Sequence, residues 1–278
     1  MRKSTKKSDF FLTMILILVL VIGLSLLLYP SFSNAWNQRH ATHAIEGYAE
    51  QLMTINNEEY AKIWQAAIDH NKALPDREET HRLSEEEYAA YEKLLLVGNE
   101  QIMGFIEIPE IGVELPIYHG TDEAVLQVAI GHLEWTSLPV GGEGSHCVVS
   151  GHRGLPSARL FTDLDKLVVG DFFMLHVLDE TLTYEVDQIR IVLPSETDEL
   201  LIQEGKDLCT LVTCTPYGIN SHRLLVRGHR VENQEQIQAV RVSADAVIME
   251  KLVVAPFLLI PILFVLLIWL LVSTRKRK

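Results

Sequence analysis

Cys214 closes the alternating run Thr210-Leu211-Val212-Thr213-Cys214, and Arg223 follows nine positions later, beyond the turn-rich stretch Thr215–Ser221. A thiol attacks carbonyl carbon as the thiolate, and a neighbouring cation favours that form. The segment Ser150-Gly151-His152-Arg153-Gly154 adds an imidazole between glycines, where the backbone bends easily and the ring is reachable. A nucleophile, a proton carrier and a fixed positive charge are the parts of acyl transfer. Period-two alternation puts Leu211 and Thr213 on one face of a strand and Thr210, Val212 and Cys214 on the other. The next strand-like run, His222 to Val231, places Arg223, Leu225 and Arg227 on one face. If the two runs pair antiparallel across the 215–221 loop, Cys214 and Arg223 approach each other. Arginine suits that place because it stays charged and offers several donors to an oxyanion or a carbonyl. Taken one at a time, the bland readings are commoner: a core cysteine, a satisfied or surface histidine, a solvated arginine.

The elements that must hold these residues change character along the chain. From about Trp36 to Gly98 the spacing is helical: Ala49, Leu52 and Met53, then Tyr60, Ile63, Trp64 and Ala67. Ser84-Glu85-Glu86-Glu87 opens a further helix expected to end near Val97-Gly98, with Leu74-Pro75-Asp76 as the separator. After Gly104 short β-type runs alternate with Gly, Pro and Asp: 105–108, 114–118, 147–150, 172–177, 181–192, 210–214 and 222–231. Many short strands at close spacing indicate a closed barrel or a sandwich. Brief helical character is expected near Glu123–Ile130 and Leu160–Lys166. The fold class is therefore mainly β with an N-terminal helical segment.

Two apolar runs stand outside this pattern. Residues 10–29 and 252–272 each carry about 20 residues without a charge, enough to cross a hydrocarbon core of roughly 30 Å. Arg2, Lys3, Lys6 and Lys7 precede the first run, and Arg275, Lys276, Arg277 and Lys278 follow the second. Basic flanks are retained on the cytoplasmic side, so both termini are expected there, with residues 30–251 outside. Ser33-Asn34-Ala35 resembles a signal-peptide cleavage site, but the apolar stretch exceeds the usual length of about 7–15 residues, which favours a retained anchor. The expected organisation is a basic tail (1–9), a span (10–29), an extracellular helical segment or lid region (30–103), a catalytic barrel (104–232), a juxtamembrane stretch (233–251), a second span (252–272) and a basic tail (273–278).

The exported part carries a net charge of about −20, which argues against nucleic acid as a partner. Its three cysteines, Cys147, Cys209 and Cys214, cannot all pair, so a disulfide framework is not expected. Cys147 and Cys209 lie in apolar strand-like runs and read as small core residues. Cys214 has a polar, turn-rich sequel. No Cys or His spacing fits a zinc site.

The run Thr210-Leu-Val-Thr-Cys-Thr-Pro-Tyr-Gly with Arg223 after it resembles the active-site signature of sortases, the cysteine transpeptidases of Gram-positive cell surfaces. Further similar stretches are Gly104-Phe-Ile-Glu-Ile-Pro, Leu115-Pro-Ile-Tyr-His-Gly-Thr, Thr136-Ser-Leu-Pro-Val-Gly-Gly and Ser150-Gly-His-Arg-Gly-Leu-Pro-Ser-Ala, followed by Leu160-Phe-Thr-Asp-Leu-Asp-Lys-Leu. The resemblance covers residues 100 to 231 and, with two spans, points to the class C, pilin-polymerising branch. It implies a closed eight-stranded sortase barrel, with His152, Cys214 and Arg223 as catalytic residues. It also implies cleavage of an LPxTG-like motif between Thr and Gly, a Cys214 thioester, and transfer to a pilin lysine. No metal or organic cofactor is implied. A calcium site belongs to another branch, and its motif has no counterpart in this sequence.

Class C members commonly carry an Asp-Pro-aromatic lid motif, and Leu74-Pro-Asp-Arg-Glu-Glu-Thr-His-Arg lacks it. Leu138-Pro-Val-Gly-Gly is not a sorting signal of this chain, because over a hundred residues separate it from the C-terminal apolar run; it reads as a barrel loop. Two alternatives remain open. One is a housekeeping sortase that attaches surface proteins to a cell-wall amine; the other is a non-enzymatic two-span receptor or scaffold with an inert Cys214.

Overall fold

The computed structural model describes residues 4–74, 83–98 and 101–233, with side chains from Phe11 onward. The expected second span at 252–272, the stretch 234–251 before it, the tail 273–278 and residues 75–82 of the expected lid region lie outside the described residues. Residues up to Phe32 belong to one compact unit and Ser33–Asn233 form another.

Helix α1 runs from Ser4 to Leu52 with Pro30 inside it. Among the described residues it is the one helix long and apolar enough to cross a membrane. Helix α2, Asn57–Ala73, starts at Asn56, whose side chain accepts hydrogen bonds from the amides of Glu58 and Glu59 and so satisfies two otherwise orphaned donors. Helix α3, Glu85–Tyr91, opens with a reciprocal capping box between Ser84 and Glu87, as the acidic run after Ser84 implied. It ends at Tyr91, short of the expected Val97, and Leu95 has a left-handed φ of 57° that no helix continues through.

From Ile102 the chain forms eight strands: β1 Ile102–Ile108, β2 Val113–His119, β3 Ile130–His132, β4 Ser145–Ser150, β5 Phe172–Val177, β6 Glu180–Val192, β7 Asp207–Thr215 and β8 His222–Val231. They close into a barrel in the order β1-β2-β3-β4-β7-β8-β6-β5, with β5 returning to β1. The β2–β3 and β4–β7 pairs are parallel and the others antiparallel. Closure removes free sheet edges. The helical stretch at Glu123–Ile130 is shorter than expected, with α4 at Glu123–Leu126, and Ile130 already belongs to β3. At Leu160–Lys166 only a single 3-10 turn, Leu164–Lys166, is present.

Inward residues such as Ile106, Ile117, Val149, Phe173, Leu211 and Val226 fill the interior. The helices after Ser33 are fastened to this barrel. The buried Tyr48 hydroxyl donates to the carbonyl of Met103 at 3.3 Å and accepts from the amide of Leu178 at 2.7 Å. The buried Asn71 amide grips Leu138, accepting from its N–H at 2.7 Å and donating to its carbonyl at 3.0 Å. Each removes a buried polar group that would otherwise be costly, and the second fixes the long loop between β3 and β4.

Candidate active site

β7 carries its residues on two faces as the alternation requires. Cys209 and Leu211 point into the interior, and Val212 packs in a separate outer cluster with Val148, Leu200 and Leu225, bordered by Leu133, Trp135 and Val192. Cys214 is two residues beyond Val212 and shares its face. In the β7–β8 ladder Cys214 is opposite Arg223, and Val212 is opposite Leu225. The expected antiparallel pairing therefore brings the cysteine and the arginine together at the barrel rim.

The parallel β4–β7 ladder ends with Ser150 opposite Val212. His152 and Cys214 are each two residues further on. The parallel arrangement is carried past its last pair by two hydrogen bonds: the Gly151 amide donates to the Val212 carbonyl at 3.0 Å, and the Thr213 hydroxyl donates to the Gly151 carbonyl at 2.7 Å. Glycine is required at 151, since a Cβ there would come within 2.8 Å of both Ile130 and Phe161. The three sequence-derived residues thus arise from adjacent strand ends β4, β7 and β8.

Their surroundings add residues that spacing did not reveal. His152 is one-quarter exposed, its Nε2 has no hydrogen-bond partner, and the nearest carboxylate oxygen is Glu123 Oε2 at 3.7 Å. Gln127 donates to the other oxygen of Glu123, so α4 turns a carboxylate towards the imidazole. Arg153 pairs with Asp165, reaches the Thr215 hydroxyl at 3.5 Å, and lies 6.0 Å over the Tyr217 ring. It braces the loop after β4 against the loop after β7, which begins with the cis Thr215–Pro216 bond. Arg223 donates to the carbonyls of Asn220 and His222 at 3.2 and 3.1 Å, and no carboxylate among the described residues forms an ion pair with it. Its charge is therefore left for an incoming group. Arg153 was adjacent to His152 in the sequence; Glu123 lay in a nondescript helical stretch, and nothing in its spacing pointed to the site.

The other two cysteines face the interior. Cys147 and Cys209 are cross-strand partners, both free and buried. Burial pushes the Cys209 thiol well above its ordinary value. Such a thiol is inert. Among the described residues no cluster of His, Cys, Asp and Glu could hold a metal ion.

A closed barrel that gathers a thiol, a guanidinium and an imidazole at the ends of adjacent strands has the layout of a cysteine-dependent acyl-transfer enzyme. Comparison with known proteins makes the class specific. Residues 106–231 match the sortase domain. The crystal structure of sortase C1 from Streptococcus agalactiae is 50% identical, covering 69% of this chain and 100% of that one, with a TM-score of 0.67. The X-ray structure of Clostridium perfringens sortase C, solved with the C-terminal cell wall sorting motif, is 43% identical over 69% of this chain and 100% of that one, with a TM-score of 0.61. Sortase D of Bacillus subtilis (strain 168) is 34% identical over 134 residues, which cover 47% of this chain and 65% of that protein. The chain belongs to the sortase family of cysteine transpeptidases, and its structural neighbours are class C sortases of Gram-positive bacteria.

Proposed function

We propose that this chain is a membrane-anchored class C sortase that joins pilin subunits, with Cys214 as nucleophile, His152 as proton carrier and Arg223 as electrostatic partner. The observation that carries the reading is the register: Cys214 directly opposite Arg223, and His152 in step with Cys214 along the parallel β4–β7 pair. The catalytic unit is the barrel at 104–232, preceded by the helical segment at 30–103 and anchored by the span at 10–29. A second span at 252–272 would leave both termini cytoplasmic.

In the first half-reaction the Cys214 thiolate attacks the Thr carbonyl of an LPxTG-like motif. The C–N bond to Gly breaks, His152 gives its proton to the departing amine, and an acyl thioester remains on Cys214. Arg223 offers guanidinium N–H groups to the oxygen that becomes negative in the tetrahedral intermediate. In the second half-reaction a pilin lysine amine attacks the thioester carbonyl, its proton passes to His152, and the Cys214 thiolate leaves. The product is an isopeptide bond and the enzyme is unchanged. The outer cluster of Val148, Leu200, Val212 and Leu225 supplies an apolar floor beside Cys214 for the Leu and Pro of the motif.

The test is a pair of acceptors. The full-length protein in detergent, given an LPxTG-type peptide and either a pilin-lysine peptide or a cell-wall cross-bridge amine, is expected to favour the lysine product. Preferential use of the cross-bridge amine would move the chain to the housekeeping role. No acyl-enzyme with any sorting peptide would sink the transpeptidase reading itself.

A further inference from the structure

The loop between β6 and β7, residues 193–206, leaves the barrel beside the site, because Val192 at its start pairs with Arg223. It then folds over the outer face of β4, β7 and β8. Leu200 from its 3-10 turn Asp198–Leu200 is buried in the outer apolar cluster, against Val148, Val212 and Leu225. The position of Leu200 therefore sets the shape of the floor that leads to Cys214. Two polar side chains of β6 tie the loop through its Glu199, Gln188 donating to it at 2.9 Å and Arg190 pairing with it at 3.3 Å. Both of these are partly exposed and weak.

One attachment is rooted in a fully buried side chain. His146 on β4 has no solvent exposure, and both ring nitrogens are engaged. Nδ1 lies 2.9 Å from the Leu201 carbonyl and Nε2 lies 2.7 Å from the Thr210 hydroxyl on β7. A carbonyl can only accept, so Nδ1 carries the proton, and the Thr210 hydroxyl then donates to Nε2. Burial lowers the basicity of this imidazole, with the nearby Arg227 acting in the same direction. The neutral ring with that single tautomer bridges the strand floor to the loop, one residue from Leu200.

We propose that His146 is a positioning residue for sorting-motif recognition: it holds the 193–206 loop on the barrel face through Leu201 and so keeps Leu200 seated in the apolar floor beside Cys214. This rests on the transpeptidase reading above and goes beyond it by assigning the groove's shape to a side chain that touches neither substrate nor nucleophile. Removing the Nδ1 donor takes this partner from the partly buried Leu201 carbonyl and loosens the loop, a loss that registers in substrate binding rather than in the chemistry at Cys214.

The experiment compares His146→Leu, His146→Asn and His146→Gln in the full-length protein with the LPxTG-type peptide, measuring thioester formation under single turnover and then KM and kcat with a lysine acceptor. His146→Leu removes both bonds, and KM for the sorting peptide is expected to rise about five- to tenfold with kcat within about twofold. Asn can place an amide donor where Nδ1 stood, so His146→Asn should stay near the wild-type KM, while His146→Gln, which reaches towards Thr210 instead, should behave like His146→Leu. An unchanged KM in His146→Leu, a fall confined to kcat, or rescue by Gln and not by Asn would overturn the proposal. If His146→Leu shows no cooperative melting transition, the Asn and Gln pair decides by the same comparison. Failure of the wild-type protein to form a thioester would instead sink the underlying enzyme assignment.

Discussion

The two faces of β7 set the same side chain in opposite circumstances. Cys209 points inward, fully buried beside Cys147, and its thiol is pushed up by burial. Cys214, five residues on, points outward, partly exposed, opposite an arginine whose charge no described carboxylate neutralises. An odd number of steps along a strand reverses the face. Which thiol meets solvent is thus a matter of register: a slip of one residue in the β7–β8 pairing would turn Cys214 inward and Cys209 outward.

The largest effect should come from exchanging the two cysteines' fates. Cys214→Ala is expected to lower transpeptidation by at least about a thousandfold while leaving the melting temperature within a few degrees; Cys209→Ala should retain activity and lose about 1 kcal/mol of stability to a small cavity. Activity kept in the first variant, or lost in the second at unchanged stability, would break the comparison. Arg223→Lys comes next. A point charge replaces a planar donor array, so kcat/KM should drop by about a hundredfold with the fold intact, and equal activity would show that charge alone suffices.

A smaller effect is expected at the strand end that carries His152. Gly151→Ala forces a Cβ to within 2.8 Å of Ile130 and Phe161, which should cost about 1–3 kcal/mol by denaturant unfolding and lower kcat through the displaced imidazole. Unchanged stability and kcat together would mean the β4 end has slack. The mildest prediction concerns pH. His119 is half-buried, donates from Nε2 to the Leu94 carbonyl at 2.7 Å, and is lowered by that burial to about 4. Between pH 6.5 and about 4 the unfolded chain binds a proton that the native ring refuses, so stability falls as the pH drops through that window, by on the order of 2 kcal/mol for this group. His119→Gln should flatten that part of the stability profile, and an unaltered slope would contradict the assignment.

Much of this architecture was legible because it rests on short-range patterns. Seven strands showed as alternating runs between Gly, Pro and Asp, and the Ser84 capping box appeared in its four residues. The pairing of Cys214 with Arg223 followed from a hairpin with a short loop, residues 216–221 in the structure, where the face of each side chain is set by counting. β3 escaped because Ile130-Gly131-His132 is three residues long and follows a helical turn, and its strand character comes from its neighbours β2 and β4. The break at residues 53–56, capped by Asn56, was hidden because the apolar spacing continues on both sides of it. Glu123 beside His152, and His146 under the 193–206 loop, depend on contacts between segments far apart in sequence. No local period records such contacts.

The central claim is that the outward thiol forms the acyl-enzyme. It is tested most directly by incubating the full-length protein in detergent with an LPxTG-type peptide without acceptor, then measuring intact mass and mapping the adduct by proteolysis. The predicted result is one acyl group of the peptide's N-terminal half on Cys214, lost in Cys214→Ala and retained in Cys209→Ala. An adduct on Cys147 or Cys209, or none on the wild-type protein under conditions where a class C sortase is acylated, would contradict it.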